Sequence, residues 1–352
     1  MKAVRWHGRE DLRLDDVPEP SAGPGHVVVE VAWCGICGTD LHEYLKGPIV
    51  IATEPHPATG GTFPVTMGHE LSGRVAEIGP GVERVGVGDR VVVDPCLACG
   101  ECWYCRTGEY VRCDTIGFVG MHLDGALARY VAVPESTVHA LPDGVGDEAA
   151  ALIEPLTVAM RAVRRSPLRA GDAVTIVGAG PIGLLVLTMV RAAGASEVYV
   201  IERAAARKDQ AILAGATHVF DPDHGDPVEQ VREASPGGRG SDVAFECVGR
   251  TATLNMAIHA ARRGGAIVVL GVFEEPSPVH FNDVMIAERT LIGSVGSAND
   301  FPRTIALVAS GRLDATPLIT AKIGIDGAID DGFRELVRNR GAHVKVLVDP
   351  RT

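Results

Sequence analysis

The stretch AVTIVGAGPIG, residues 173–183, reads as an apolar strand that runs directly into a glycine-rich turn and the start of a helix. Gly178, Gly180 and Gly183 stand at the spacing G-x-G-x-x-G. In that pattern the first glycine permits a tight turn, the second lets the backbone approach a diphosphate, and the third lets helix and strand pack closely. Free N–H groups and the dipole at the helix start favour an anion there. Pro181 and Ile182 complete the loop. The spacing alone is a weak signal, but the next strand-like run, EVYVIE, ends on Glu202, nineteen residues beyond Gly183. A carboxylate at that point is placed to accept from both hydroxyls of a ribose. It argues for NAD over NADP, because it repels a 2′-phosphate. Arg203 and Arg207 lie just beyond and soften that preference.

Outward from this loop the chain keeps one rhythm in both directions. LTVAMRAVRRS has helical spacing, PIGLLVLTMVRAAG is a helix closed by Gly194, and HVFDP, VAFECVG and GAIVVLGV are short apolar runs between helical segments. Continuous apolar strands alternating with helices predict a doubly wound parallel sheet covered on both faces, over residues 154–290. Before it, HVVVEVAWCGI, LSGRVAEIG, DRVVVDP and LARYVAVPE are strands punctuated by Gly, Pro and Asp, so residues 1–153 read as a β-rich domain. After about 290 short mixed elements return and end in HVKVLVDP, which suggests that 291–352 rejoin the first domain. The fold class is α/β, with the doubly wound domain inserted into a β-rich one.

Bulk properties exclude several functions. With 352 residues the chain has room for two domains, and 46% hydrophobic with 22% charged residues is an ordinary globular balance. A net charge of -12 disfavours nucleic acid and anionic membranes as partners. The start, MKAVRWHGREDLRL, lacks the apolar region of a signal peptide, and the longest apolar run, PIGLLVLTMV, is too short to cross a bilayer. A cytoplasmic protein is the expectation, and a reducing compartment favours metal binding over disulfides for clustered cysteines.

The cluster in question is DPCLACGECWYCRTGEYVRC, residues 94–113, which holds five of the eight cysteines. Cys99, Cys102, Cys105 and Cys113 form C-x2-C-x2-C-x7-C, four thiolates with no position left for water. That describes a closed structural zinc site fastening a lobe at 94–115; an iron–sulfur cluster is the alternative for the same ligands. Cys96 is an ambiguous fifth member. A second set comes from distant pieces: CGICGTDLH offers Cys37, Thr39, Asp40 and His42, and MGHELSG offers His69 and Glu70. A catalytic zinc takes about three protein ligands and keeps one exchangeable position. Cys37 and His69 are the first candidates, with Glu70, or Glu154 from ALIEPLTVAM, as the third. Glu70 could instead orient His69 from behind. Cys34 and Cys37 also form a CxxC that a redox reading would use, and Cys247 sits in a buried strand pattern.

Together these motifs resemble the zinc-dependent medium-chain alcohol and polyol dehydrogenases, from end to end of the chain. GHELSGRVAEIGPGV resembles the family's zinc signature, the four-cysteine lobe its structural site, and VGAGPIG its cofactor loop. Within the family the chain looks most like the 2,3-butanediol dehydrogenases, with sorbitol and threonine dehydrogenases next. EPHPATGGTFPVTMGHE resembles the longer loop before the zinc histidine of butanediol enzymes, and ALIEPLTVAMRAV carries glutamate where alcohol dehydrogenases have a zinc cysteine. The resemblance implies a GroES-like catalytic domain around a central Rossmann domain, NAD, and two zinc ions per subunit, one catalytic and one structural. By the same likeness Cys37, His69, Glu70 and Glu154 serve the catalytic zinc, and Thr39 and His42 the proton relay. A small-molecule alcohol, diol or ketone would be the substrate, in a homodimer or homotetramer. The implied reaction is reversible NAD-linked oxidation of a vicinal diol, 2,3-butanediol to acetoin. A sorbitol-type polyol or L-threonine dehydrogenase with the same zinc logic is the alternative, and a non-catalytic NAD-binding zinc scaffold is the alternative of another class. In GSVGSANDF, Ser297 stands where many relatives carry an aromatic residue.

Overall fold

The structure, a computed structural model, describes residues 1–352. The chain divides into two compact units, Met1–Glu154 with Ser297–Thr352, and Pro155–Gly296.

The first unit is built on a seven-stranded sheet. In spatial order its path runs Val138–Ala140, Arg90–Val93, Glu70–Ile78, His26–Gly35, Lys345–Asp349 and Ile319–Gly324, with Tyr130–Pro134 also paired to His26–Gly35. The strand His26–Gly35 is the hub, because HVVVEVAWCG places Val27, Val29, Val31 and Cys34 in the core while its two edges pair with three other strands. The last strand of the chain is one of those partners: Leu347 lies opposite Gly35 and Val348 opposite Cys34. An apolar strand with no sheet of its own must find a ladder for its N–H and C=O groups, and HVKVLVDP finds it on the first domain. A separate two-stranded ribbon, Cys96–Leu97 with Gly117–Phe118, closes the base of the lobe that carries the four spaced cysteines.

The second unit is a six-stranded, wholly parallel sheet. Its order is His218–Phe220, Glu197–Ile201, Ala173–Val177, Ser241–Glu246, Ala261–Val269 and Thr290–Gly293. All five residues of Ala173–Val177 are buried, as the unbroken apolar run requires of a strand covered on both faces. The chain leaves Ala173–Val177 in one direction to build Glu197–Ile201 and His218–Phe220, then returns to its other side with Ser241–Glu246. That reversal opens a crevice at the carboxyl ends of the two central strands, where sheets of this kind bind ligands. The helix Pro181–Ala192 starts there, with Gly180 as its N-cap and Pro181 in its first turn. Gly194, at φ +93°, ends the segment in the left-handed region that a side chain disfavours. No helix is long and apolar enough to cross a membrane.

Candidate active site and metal centres

The glycine loop has the form a dinucleotide needs, and its three glycines do different work. Gly178 adopts φ +94°, and a Cβ there would meet the Val248 side chain at 2.4 Å. At Gly183 a Cβ would lie 1.9 Å from the carbonyl oxygen of Gly178, so packing alone demands glycine. At Gly180 the situation is reversed. Its φ is -69° and the nearest atom to a Cβ is Arg207 Nη1 at 3.9 Å, so neither conformation nor packing requires glycine. A residue kept bare on an open face of a helix N-terminus fits a group that approaches from outside, which is what a diphosphate does. Gly180→Ala is therefore expected to leave thermal stability unchanged while weakening NADH binding by about tenfold or more, because it fills the approach and nothing else. Titration by NADH fluorescence checks it, and unchanged affinity would remove the loop from the cofactor site. Gly183→Ala, by contrast, should lower stability itself.

Glu202 follows the strand Glu197–Ile201 and is buried. Its Oε2 accepts from Ala179 N–H at 2.7 Å, tying it to the glycine loop, and its Oε1 accepts from Arg203 N–H and Ala204 N–H at 2.9 and 2.8 Å. Three of about four acceptor positions are thus occupied, leaving Oε2 room for a ribose hydroxyl. The side chain of Arg203 turns away to Asp223, while that of Arg207 lies beside Gly180.

In the first unit, Cys37 is the N-cap of the helix Gly38–Lys46, immediately after the hub strand. Asp40, three residues on, is fully buried and accepts from Cys37 N–H at 2.9 Å through Oδ2. Its other oxygen, Oδ1, lies 3.4 Å from His69 Nδ1. One carboxylate thus fixes the backbone of the cysteine and stands beside the ring of the histidine, although neither Asp40 Oδ1 nor His69 Nδ1 has a hydrogen-bond partner. Burial opposes a charge on His69, yet Asp40 and Cys37 hold its pKa well above the usual value. A cation bound in place of that proton would satisfy the same two neighbours. Thr39 and His42 lie at i and i+3 on the same helix, and Cys37 Sγ is 3.7 Å from Thr39 Oγ1. Cys34, inside the hub strand, is buried, and burial pushes its thiol up.

The two candidate glutamates are placed differently. Glu70 begins the strand Glu70–Ile78 and is fully buried, and both its carboxylate oxygens take hydrogen bonds from Lys345 Nζ, at 2.7 and 2.6 Å. Lys345 comes from the last strand, so the pair reaches across the intervening hub strand. Gly35 makes that reach possible: a Cβ there would lie 2.1 Å from Glu70 Oε2. Burial opposes the charge on Lys345, but Glu70, helped by Cys37, keeps its pKa above the ordinary value. Glu154 is buried in the helix Ile153–Arg165, and burial pushes its carboxyl up to about 8, against the pull of His69 and Lys345 and with the push of Glu70. A divalent cation nearby would supply the positive charge that burial makes necessary.

Only one group of three or more His, Cys, Asp and Glu side chains closes tightly in the structure. Cys99, Cys102, Cys105 and Cys113 bring their sulfurs within 4.8 Å of one another. Cys99 Sγ accepts from Glu101 and Cys102 N–H at 3.4 and 3.3 Å, and Cys113 Sγ from Cys99 N–H at 3.3 Å. Those amides, Cys102 first, lower the Cys99 thiol to about 6. Backbone amides aimed at converging sulfurs are what a thiolate metal site uses, and the set fits a tetrahedral ion. Cys96 is outside it, buried beside Asp94 with its thiol pushed up. Cys37, His69, Glu70 and Glu154 do not make a second closed set, nor do any three of them, and Glu70 is turned to Lys345.

The alcohol dehydrogenase GroES-like domain family matches residues 23–143, and the zinc-binding dehydrogenase family matches residues 181–310. Over 352 residues the chain is 43% identical to (R,R)-butanediol dehydrogenase of Bacillus subtilis (strain 168), covering 99% of this chain and 100% of that protein. The chain belongs to the medium-chain zinc-binding dehydrogenases. Among solved structures, 2R,3R-butanediol dehydrogenase from Bacillus subtilis overlays with a TM-score of 0.93 at 43% identity, covering 99% of both chains. A structure from Sinorhizobium meliloti 1021, described as a zinc-binding dehydrogenase and bound to NADP, overlays at 0.88 with 35% identity and 99% of both chains covered.

Two partners in this medium-chain dehydrogenase differ in how far the sequence shows them. Asp40 carries a readable signal, since a cap residue followed by an acid three positions later is capping-box spacing. Lys345 carries only a faint one, a lone cation inside the apolar run HVKVLVDP. The region of Ser297 is organised by a third acid, Asp94, whose Oδ2 accepts from Ser297 Oγ at 3.2 Å and from the Tyr110 hydroxyl at 2.5 Å. The hydroxyl of Ser297 is therefore directed at Asp94.

Proposed function

We propose that this dehydrogenase oxidises a vicinal diol with NAD, reversibly and with zinc, and that its substrate is 2,3-butanediol, giving acetoin. The observation that carries the reading is the end-to-end likeness to (R,R)-butanediol dehydrogenase, with 43% identity and no uncovered segment of consequence. The residues around Cys37 support it. Cys37, His69 and Glu154 would hold the catalytic zinc, Glu70 standing back with Lys345, and the four-cysteine lobe would hold a second, structural zinc. When bound, zinc would acidify a substrate hydroxyl and NAD would take up the hydride.

The chain's own residues account for the rest. Asp40 keeps Cys37 at the helix start and places a carboxylate 3.4 Å from the His69 ring. Thr39 Oγ1 would accept the proton leaving the substrate hydroxyl as its own hydroxyl proton passes on, and the His42 ring, one turn further along the helix Gly38–Lys46, would be the base that finally takes it. Gly178, Gly180 and Gly183 would admit the diphosphate, and Glu202 the adenosine ribose.

Initial rates of NADH formation from (R,R)-, (S,S)- and meso-2,3-butanediol, sorbitol and L-threonine test the proposal. The (R,R) isomer should lead, and the activity should disappear when zinc is stripped and return when it is restored. A lead for sorbitol or threonine would keep the chemistry and overturn the substrate. Turnover that survives zinc removal would overturn the mechanism.

A further inference from the structure

Resting on the NAD reading above, we infer that Asp223 is a specificity-determining residue that enforces NAD over NADP without touching the cofactor, by occupying Arg203. Arg203 directly follows Glu202, the acid at the ribose position, so it is the cation nearest in sequence to where a 2′-phosphate would sit. Its guanidinium is committed elsewhere. Nη2 donates to Asp223 Oδ1 and Oδ2 at 2.8 and 3.0 Å, and Nε donates to Oδ2 at 3.3 Å.

Asp223 is held in position for this task. It stands in the turn DPDHG, residues 221–225, which follows the strand His218–Phe220. Phe220 O accepts from Glu202 N–H at 3.0 Å, so the turn begins next to the ribose acid. Asp223 N–H in turn donates to Asp221 Oδ1 at 2.9 Å. Asp221 also takes a second cation out of play, accepting from Lys208 Nζ at 2.6 Å, with His224 Nδ1 3.1 Å from the same oxygen. The turn therefore neutralises Arg203 and Lys208 beside a carboxylate that already repels phosphate. A doubly charged 2′-phosphate approaching Arg203 and Lys208 would meet two satisfied cations and three carboxylates, Arg207 lying instead beside Gly180.

Because the fold accepts either cofactor in related chains, as the NADP-bound relative illustrates, the choice has to lie in such local residues. Side chains of Arg203 and Asp223 are 67% and 53% exposed, so the pair adds little to stability and can be broken without unfolding the domain.

The test is NADH and NADPH binding to wild type, Asp223→Asn, and the double variant Asp223→Asn/Arg203→Ala, measured by cofactor fluorescence at one ionic strength. Asparagine keeps the size of the side chain and removes the charge that holds Arg203. Wild type should bind NADH well ahead of NADPH. Asp223→Asn should tighten NADPH roughly tenfold, the size of one charge-assisted phosphate contact, and leave NADH within about twofold. The double variant should lose the gain. No tightening of NADPH in Asp223→Asn overturns the inference, and so does a gain that persists without Arg203. A wild type that prefers NADPH, or binds neither cofactor, overturns the NAD reading and this inference with it.

Discussion

A Cys37→Ser variant is expected to fold, bind NADH, keep the metal of the four-cysteine lobe and lose turnover by a factor of about a thousand or more. The reason is chemical before it is steric. A thiolate is available to a metal near neutral pH and a serine alkoxide is not, so the ligand is lost although the side chain is nearly the same shape. The fold should tolerate the change because the Cys37 N–H still donates to Asp40 and serine is itself a favoured residue at a helix N-cap. Metal content and turnover should therefore fall together while the circular dichroism spectrum and the NADH affinity stay put. That combination separates Cys37 from the lobe. Loss of Cys102, one of four sulfurs within 4.8 Å of one another, should instead loosen the lobe and act on stability first. Normal turnover by Cys37→Ser with an unchanged metal count would remove Cys37 from the active site.

Lys345→Met carries the largest stability effect. Its ammonium is the counter-charge to Glu70, and the two side chains are 3% and 0% exposed. Removing one member leaves a carboxylate in a dry interior with Gly35 pressed against it, and breaking a buried pair in this way costs about 3–5 kcal/mol. Replacing both members is a different experiment. The double variant Glu70→Met/Lys345→Met removes both charges of the pair and should recover most of the loss. Thermal unfolding midpoints of wild type, the single variant and the double variant check this directly. If Lys345→Met melts with wild type, the pair contributes nothing; if the double variant melts below the single one, the cost is lost packing and not an uncompensated charge. The single variant also frees Glu70 from its partner, so its activity reports whether that release matters to a metal beside Cys37 and His69.

The parts of this protein that were legible in the sequence are those whose parts lie close together along the chain. Gly178, Gly180 and Gly183 occupy one turn and the start of one helix, and their roles follow from the geometry of that turn. The four cysteines span 99 to 113 and converge because a short lobe has few ways to arrange them. Apolar strands alternating with helices from Ala173 onward determine a parallel sheet, since neither element can bury its face alone. Even the pairing of Cys37 with Asp40 is a three-residue matter.

What tertiary structure alone decided are the partners that meet across strands. Glu70 and Lys345 are 275 positions apart and Ser297 and Asp94 are 203 apart. Nothing local in MGHELSG says that its glutamate will meet a lysine near the end of the chain. That depends on the last strand joining the hub strand in one register, and on Gly35 leaving room between them. The commitment of Arg203 to Asp223 follows from the same kind of cause, a turn brought beside Glu202 by strand order. Short-range patterns record what a segment must be; which charge neutralises which is settled when the sheet brings distant strands side by side, because a buried charge accepts whatever partner the fold places within reach.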